Sequence, residues 1–199
     1  MLLIGAILAI GLLIGWGFGG DLRNFSAIGI RLWWVAPLAL LLQVLPLPEG
    51  ESGITRLLPA GALLASFWLL TVVAAANWRL RGFGLILIGV LMNFTVISVN
   101  QGMPVSAEAL ARIEATEDVE PLREAPEGAK HHLATEEDRL RPIGDVIPVE
   151  EPFDVVVSPG DVLAYSGAAV LVAAVMLGRP ERRRREQAVP EDAQTTMWS

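Results

Sequence analysis

The sequence contains no cysteine and only two histidines, His131 and His132. The lack of cysteine excludes disulfides, thiolate metal sites and cysteine nucleophiles. Adjacent side chains point apart on a helix or strand, and no HxxxH or HExxH spacing is present, so a metal site would need carboxylates such as Asp145 or Asp161. We therefore predict that the protein holds no metal and no cofactor.

The residue patterns of common enzymes and pumps are also absent. No nucleophile-elbow pattern surrounds Ser106, Ser158 or Ser166, and no glycine-rich phosphate loop occurs. The apolar segments carry no charge pairs that would mark an ion path. A nucleic-acid-binding protein needs a basic face on a folded domain, whereas this chain has a net charge of −7. These absences disfavour an enzyme or a pump and indicate that nucleic acid is not a partner.

Long apolar segments dominate what the sequence does contain. Hydrophobic residues make up 53% of the chain, and the mean hydropathy is +0.50. A helix needs about 20 apolar residues to cross the hydrocarbon core of a bilayer. Five segments approach or reach this length and are apolar on all sides, unlike helices at the surface of a soluble protein. They are Leu2–Gly19, Leu32–Leu47, Leu57–Ala76, Phe83–Val99 and Val162–Gly178.

These segments predict an all-α membrane protein, a bundle of five transmembrane helices with the lipid bilayer as its partner. Four helices fall in residues 1–99 and the fifth in residues 162–178. In the first helix, Gly11, Gly15 and Gly19 recur every four residues. Small residues at this spacing allow a neighbouring helix to approach closely. We therefore expect this glycine face to pack against another span.

The acidic segment between the fourth and fifth spans, residues 100–161, is called the cap below. It holds fifteen acidic residues and five basic ones. Ser106 is placed to cap a short helix whose apolar side carries Ala109, Leu110 and Ile113. Ser158-Pro-Gly-Asp161 has serine, proline and aspartate at the positions that favour the start of a helix. The sequence thus predicts a structured loop that ends where the fifth helix begins.

The distribution of arginine predicts the orientation of the chain in the membrane. With five spans, one side receives Arg23, Arg31, Arg79, Arg81 and the cluster at 179–185, nine positive charges in all. The other side receives Arg56 and the five basic residues of the cap. Because cytoplasmic loops carry an excess of positive charge, we expect the N-terminus and the cap outside and the C-terminus in the cytoplasm. Residues 179–199 are predicted to form a disordered, Arg-rich cytoplasmic tail.

A polar stretch at the junction of the fourth span and the cap suggests a candidate site. Buried amides and carboxylates need partners, so we expect Asn100, His131, Asp145 and Asp161 to converge above the ends of the fourth and fifth spans. Either these groups bond only to one another and close the loop, or one side of the cluster stays open to a ligand or partner. The full set of candidate ligand-binding residues is Asn93, Asn100, Gln101, Met103, Pro104, Ser106, His131, Asp145, Ser158 and Asp161.

The stretch from Asn93 to Leu110, NFTVISVNQGMPVSAEAL, also carries a resemblance. Together with Lys130-His131, Ile143–Pro148 and Ser158-Pro-Gly-Asp161 in the same order, it resembles a bacterial family of uncharacterised multi-pass membrane proteins, a domain of unknown function. The resemblance covers most of residues 1–178. It implies a small protein of the bacterial cell membrane, and it brings no activity, ligand or catalytic residue.

Three functions remain open from the sequence. The first is a non-enzymatic membrane subunit or assembly partner that contacts another protein through the cap on the outer face. The second is a small-ligand binder or carrier whose site lies between the cap and the helix ends. The third is a membrane-embedded enzyme that uses a carboxylate or histidine at the outer face.

Overall fold

The computed structural model describes residues 2–47, 54–126 and 129–178. Within these residues the chain forms seven α-helices, three short 3-10 helices and four three-residue strands. The first four α-helices and the last one carry the apolar segments. The cap carries the strands and the two shortest α-helices. The α-helices are α1 (Leu2–Gly17), α2 (Val35–Val44), α3 (Ile54–Ala76), α4 (Phe83–Asn100), α5 (Ala107–Arg112), α6 (Val119–Arg123) and α7 (Pro159–Leu177).

Three of these helices are long and apolar enough to cross a membrane: residues 58–76 of α3, all of α4 and all of α7. The all-α membrane class predicted from the sequence is therefore supported. The helices α1 and α2 are shorter, with 16 and 10 residues. At 1.5 Å per residue α2 extends for only about 15 Å, about half of a hydrocarbon core. The five-span bundle stays a prediction.

The five apolar helices pack in the spatial order α2, α3, α4, α7, α1. Two apolar clusters hold α3 against its neighbours. One joins Val35 of α2, Val73 of α3 and Phe83 of α4. The other joins Leu63 of α3 and Ile97 of α4 to Met103, the first strand residue of the cap. The cap is therefore anchored in the same core as the helices.

Glycines let α7 approach both α4 and α1 at backbone distance. A Cβ atom at Gly89 of α4 would meet the carbonyl oxygen of Gly160 and lie 2.7 Å from the amide of Ala164. A Cβ atom at Gly11 would lie 2.7 Å from the carbonyl oxygen of Ala169, and one at Gly15 would lie 2.7 Å from the sulfur of Met176. Gly11 and Gly15 thus confirm the predicted packing face. Gly19 follows the end of α1, in a left-handed turn with φ of +77°.

The end of the bundle opposite the cap is called the far end below, and it comprises residues 17–34, 77–83 and 176–178. Side-chain amides fasten it. Asn77 Oδ1 accepts from the backbone N–H of Arg31 at 2.8 Å, and Asn77 Nδ2 donates to the Arg31 carbonyl at 2.8 Å. Asn24 Nδ2 donates to the carbonyl of Met176 at 2.6 Å. The segment that joins α1 to α2 is thereby tied to the ends of α3 and α7.

The cap contains two small sheets. The strand β1 (Met103–Val105) pairs in parallel with β2 (His131–Leu133), and β3 (Ile147–Val149) pairs antiparallel with β4 (Val155–Val157). On its other edge β1 is bridged by Asp145, whose N–H donates to the Pro104 carbonyl at 3.0 Å.

The predicted apolar boundaries differ from the helices most strongly in the second segment. Residues 32–34 and 45–47 belong to turns, so the predicted span 32–47 contains a helix of ten residues only. The other four segments agree with their helices within three residues at each end. The predicted disordered tail, residues 179–199, lies outside the described residues.

Candidate functional site

The site is built on the N-terminus of α7, where the chain leaves the cap. Ser158 is the N-cap, and its Oγ accepts from the backbone N–H of Asp161 at 2.9 Å. In return Asp161 Oδ2 accepts from the backbone N–H of Ser158 at 3.0 Å. This reciprocal pair is a capping box, with Pro159 at the first helical position. The helix start predicted from the sequence is confirmed.

Asn93 connects this capping box to α4. Its Nδ2 donates to Asp161 Oδ1 at 2.8 Å, and its Oδ1 lies 2.8 Å from Ser158 Oγ. The hydroxyl of Ser158 is also 2.8 Å from Asp161 Oδ2, so its single proton has two acceptors in reach. Asn93 and Ser158 are buried. The three side chains thus satisfy one another and fasten α4 to α7 at the cap end of the bundle.

Asp145 enters the same region from the cap. Its backbone is fixed by β1, since its N–H donates to Pro104 and its carbonyl accepts from the N–H of Ser106 at 2.9 Å. Gly144 makes this approach possible, because a Cβ atom there would lie 2.8 Å from the Pro104 carbonyl oxygen. These two hydrogen bonds hold the backbone of Asp145 against β1.

The carboxyl group of Asp145 is buried without a hydrogen bond from any described residue. Its side chain is 11% exposed, and the nearest described cation-forming group is His131, whose Nε2 lies 4.0 Å from Asp145 Oδ2. Burial, and after it the negative charge of Asp161, raise the pKa of Asp145 to about 8. A buried carboxylate without a partner is costly, so this group either holds a proton at neutral pH or needs a cation.

His131 forms the exposed side of the site. Half of its side chain, 51%, is accessible to solvent. Burial of the remainder lowers the pKa of the imidazole, against the opposing effect of Asp161. Tyr165 lies one turn beyond Asp161 on α7, within electrostatic range of both aspartates. The site thus contains two carboxyl groups, one imidazole and one phenol.

A groove opens beside His131 on the surface of the cap. It has a volume of about 520 Å³. Its walls are mostly apolar or small, with Glu124, Lys130 and His131 as the polar members. The lining residues are Pro121, Leu122, Glu124, Ala125, Pro126, Ala129, Lys130 and His131. The volume falls within the range of roughly 300–1,000 Å³ that is common for small-molecule pockets.

The second histidine has a separate role. His132 Nε2 lies 2.9 Å from Asp138 Oδ1, and Asp138 Oδ2 accepts from the backbone N–H of Thr135 at 2.7 Å. Burial raises the pKa of Asp138, but the hydrogen bonds from Thr135 and His132 outweigh it, and the pKa is lowered. This pair closes the turn after β2. As predicted for adjacent histidines, only His131 faces the site.

The remaining predicted site residues lie outside this cluster. Asn100 bonds with the backbone of Arg139, donating to its carbonyl at 2.8 Å and accepting from its N–H at 2.9 Å. Asn100 therefore does not converge with His131, Asp145 and Asp161, because its amide is used to hold the loop at the end of α4. Gln101 ends α4 in a left-handed conformation, with φ of 57°.

Met103, Pro104 and Ser106 support the site through the backbone. Met103 is buried, and its N–H donates to the Lys130 carbonyl at 2.9 Å. Pro104 is fully buried between β2 and Asp145. Ser106 caps α5 by accepting from the N–H of Ala109 at 3.3 Å, as predicted. The strand β1 therefore has β2, which carries His131, on one edge and Asp145 on the other.

The chain was compared with known proteins. Residues 27–173 match the model of a family described as a family of unknown function, DUF5317. The chain belongs to this family. This match confirms the predicted membership of a domain-of-unknown-function family, whereas the bacterial origin implied by the resemblance stays a prediction. No curated protein and no solved structure matches the chain.

Two residues in the segment shared with the family contribute to the arrangement and were not among the predicted site residues. Lys130 Nζ donates to the carbonyls of Gln43 and Leu45, at 2.8 and 2.9 Å. It thereby caps the C-terminus of α2, where a cation is favourable. The sequence signal for Lys130 was its position beside His131 in the motif that resembles the family. Tyr165 is the only tyrosine in the chain and stands one turn from Asp161. This spacing was the sequence signal that Tyr165 lies near Asp161.

Proposed function

We propose that this protein is a five-span membrane protein that binds a small cationic ligand between its cap and the cap end of α7. The observation that carries the proposal is the carboxyl group of Asp145, which is buried beside Asp161 without a hydrogen-bond donor from the described residues. Asp161 already accepts from Asn93 Nδ2 and from the backbone N–H of Ser158, and the Ser158 hydroxyl is also in reach. Asp145 therefore offers the free acceptor, and a protonated amine is its natural complement.

The groove beside His131 supports an amphiphilic ligand. Pro121, Leu122 and Pro126 in its wall offer contacts to a short hydrocarbon chain, and His131 lies both in the groove and 4.0 Å from Asp145 Oδ2. A ligand with an ammonium group and an apolar body would place its charge toward Asp145 and its body in the groove. This favours the second of the three functions open from the sequence. The assembly role, with a protein partner at the outer face, stays a prediction.

The expected orientation places this site outside the cytoplasm. The cap end carries the acidic segment, whereas Arg23, Arg31, Arg79 and Arg81 all lie at the far end and are exposed. The excess of positive charge on the cytoplasmic side of membrane proteins supports a cap on the outer face of the cell membrane. The ligand would then enter from outside the cell.

A thermal-shift experiment tests the proposal. The full chain, purified in detergent at pH 9, where Asp145 is ionised and an alkylamine still carries its proton, is melted with n-hexylammonium, with neutral n-hexanol and with n-hexanoate. Ligand that binds only the folded protein raises the melting temperature. We expect n-hexylammonium to raise it for the wild type and for Asp138→Asn, a substitution of the other buried aspartate of the cap. We expect no rise for Asp145→Asn.

The two variants make the result specific. Asp138→Asn removes a cap carboxylate that is fully partnered by Thr135 and His132, so it tests whether any loss of cap charge abolishes binding. An equal shift in the wild type and in Asp145→Asn would refute the proposal. The same holds if n-hexanol shifts the melting temperature as much as n-hexylammonium, since the charge would then have no part in binding.

A further inference from the structure

The far end of the bundle carries the densest positive surface of the described residues. Arg23, Arg31, Arg79 and Arg81 are exposed there. The three segments of the far end contain a single carboxylate, Asp21, whose Oδ1 accepts from the backbone N–H of Arg23 at 2.8 Å. Four guanidinium groups thus face one carboxylate, and the surface is strongly basic.

Hydrogen bonds tie together the backbone segments that carry these arginines. Asn77 hydrogen-bonds both the N–H and the carbonyl of Arg31, and Asn77 stands two residues before Arg79 in the turn that joins α3 to α4. The segment that carries Arg23 is tied to α7 through Asp21, whose N–H donates to the Met176 carbonyl at 2.8 Å. The fold therefore brings the backbone of these arginine-bearing segments to the same end of the bundle.

Exposed tryptophans lie on the same segments. Trp33, Trp34 and Trp78 have 67%, 58% and 61% of their surface exposed. Tryptophan is enriched at the ends of membrane helices, where its side chain lies at the level of the lipid headgroups. The guanidinium of Arg79 lies 5.7 Å from the centre of the Trp78 ring, close enough for a cation–π contact. An end of the bundle that carries both exposed tryptophans and exposed arginines is suited to the headgroup region of a bilayer, where the lipid phosphates lie.

We propose that the far end binds the headgroups of anionic glycerophospholipids. The guanidinium group donates two parallel hydrogen bonds to a phosphate, and it keeps its charge at any physiological pH. An anionic headgroup such as phosphatidylglycerol is favoured over zwitterionic phosphatidylcholine because its charge is not cancelled by a choline. The binding is independent of the site in the cap.

Native mass spectrometry of the full chain in detergent tests this binding. The probes are phosphatidylglycerol and phosphatidylcholine with identical acyl chains. The test variant combines Arg31→Gln, Arg79→Gln and Arg81→Gln. The control variant combines Arg112→Gln, Arg139→Gln and Arg141→Gln, three exposed arginines of the cap. Both variants lose three positive charges and both keep the arginines of residues 179–199.

We expect the wild type and the control variant to retain phosphatidylglycerol in preference to phosphatidylcholine, and the far-end variant to lose affinity for phosphatidylglycerol by at least about tenfold. Excess inorganic phosphate should leave the lipid bound. Melting temperatures without lipid show whether both variants remain folded; if the triple variant is unfolded, Arg79→Gln alone replaces it. Equal lipid retention by the two variants, no preference between the lipids, or displacement by inorganic phosphate would overturn the proposal.

Discussion

At the scale of single residues, Asp145 sets the response of the protein to pH. Burial raises its pKa to about 8 in the folded chain, whereas an aspartate in the unfolded chain has a pKa of 3.8. Between these values the folded state keeps a proton that the unfolded state has released. Stability must therefore fall as pH rises through this window, and this contribution is lost completely above pH 8.

Asp145→Asn should remove this dependence. We expect the variant to match the wild type near pH 4 and to be more stable at pH 8, by about 2–5 kcal/mol in the free energy of unfolding. The measurement is unfolding in detergent at four or five pH values for both proteins. Glu150→Gln, at an exposed acid of the cap, serves as the control and should follow the wild type. A constant difference between Asp145→Asn and the wild type at all pH values would contradict the assignment.

Two asparagines of α4, seven residues apart, allow a matched comparison. Asn93 is buried and bonds with Asp161 and Ser158 of the α7 capping box, whereas the bonds of Asn100 to Arg139 are exposed to solvent. We expect Asn93→Ala to lower the free energy of unfolding by about 1–3 kcal/mol, because it leaves buried groups without partners. Asn100→Ala should cost less than about 1 kcal/mol. Denaturant titration of both variants in one detergent decides the order, and a larger effect at Asn100 would refute it.

The sequence predicted those residues whose roles are local. Ser106 and Ser158 were placed correctly because an N-cap is recognised from its neighbours within three positions. The partners of Asn93 and Asn100 depend on contacts across 65 and 39 positions of the chain. Both amides lie on the same apolar helix, so the sequence could not distinguish the one that faces α7 from the one that holds a loop.

At the scale of helices, the contact between α4 and α7 depends on glycine. Gly89→Ala would press a methyl group into the backbone at Gly160 and Ala164. We expect a loss of about 1–3 kcal/mol in the free energy of unfolding, despite the higher helix propensity of alanine. Gly84→Ala is the control in the same helix, since a Cβ atom there meets nothing within 4 Å. The melting temperature of Gly84→Ala should equal or exceed that of the wild type; a similar loss for both variants would show that the contact is not the cause.

Hydropathy located the helices but not all of their ends. The segments that became α3, α4 and α7 end at turns, prolines or capping residues that the sequence displays. The segment 32–47 is equally apolar, yet only Val35–Val44 is helical. Trp33, Trp34, Leu45 and Leu47 are as hydrophobic as the helix itself, and therefore hydropathy gives no signal for its boundaries.

The three-residue strands of the cap were beyond prediction for a related reason. The strands β1 and β2 are separated by more than twenty residues, and each is too short for an alternating pattern to appear. The run Val155–Val157 consists of three β-branched residues, a composition that is typical of a strand. The pairing that places His131 and Asp145 on opposite edges of β1 follows from the folded cap and could not be derived from spacing.

For the molecule as a whole, the cap end and the far end should face different compartments. The chain has no cysteine, so single cysteines report accessibility directly. Glu137→Cys in the cap should react with a membrane-impermeant maleimide on intact cells, and Ser26→Cys at the far end should react only after the cells are opened. Both positions are exposed in the structure. The reverse pattern of labelling would show that the arginine-based orientation is wrong.

The bonds from Lys130 to the end of α2 also impose an order on biosynthesis. The carbonyl of Gln43 receives its donor from a residue 87 positions later in the chain. The helix made second is therefore completed only after α3, α4 and the first half of the cap have left the ribosome. Arrested nascent chains of increasing length should protect a cysteine at Gln43, which is partly buried in the folded protein, only once Lys130 has emerged. Protection in shorter chains would mean that α2 matures without the cap.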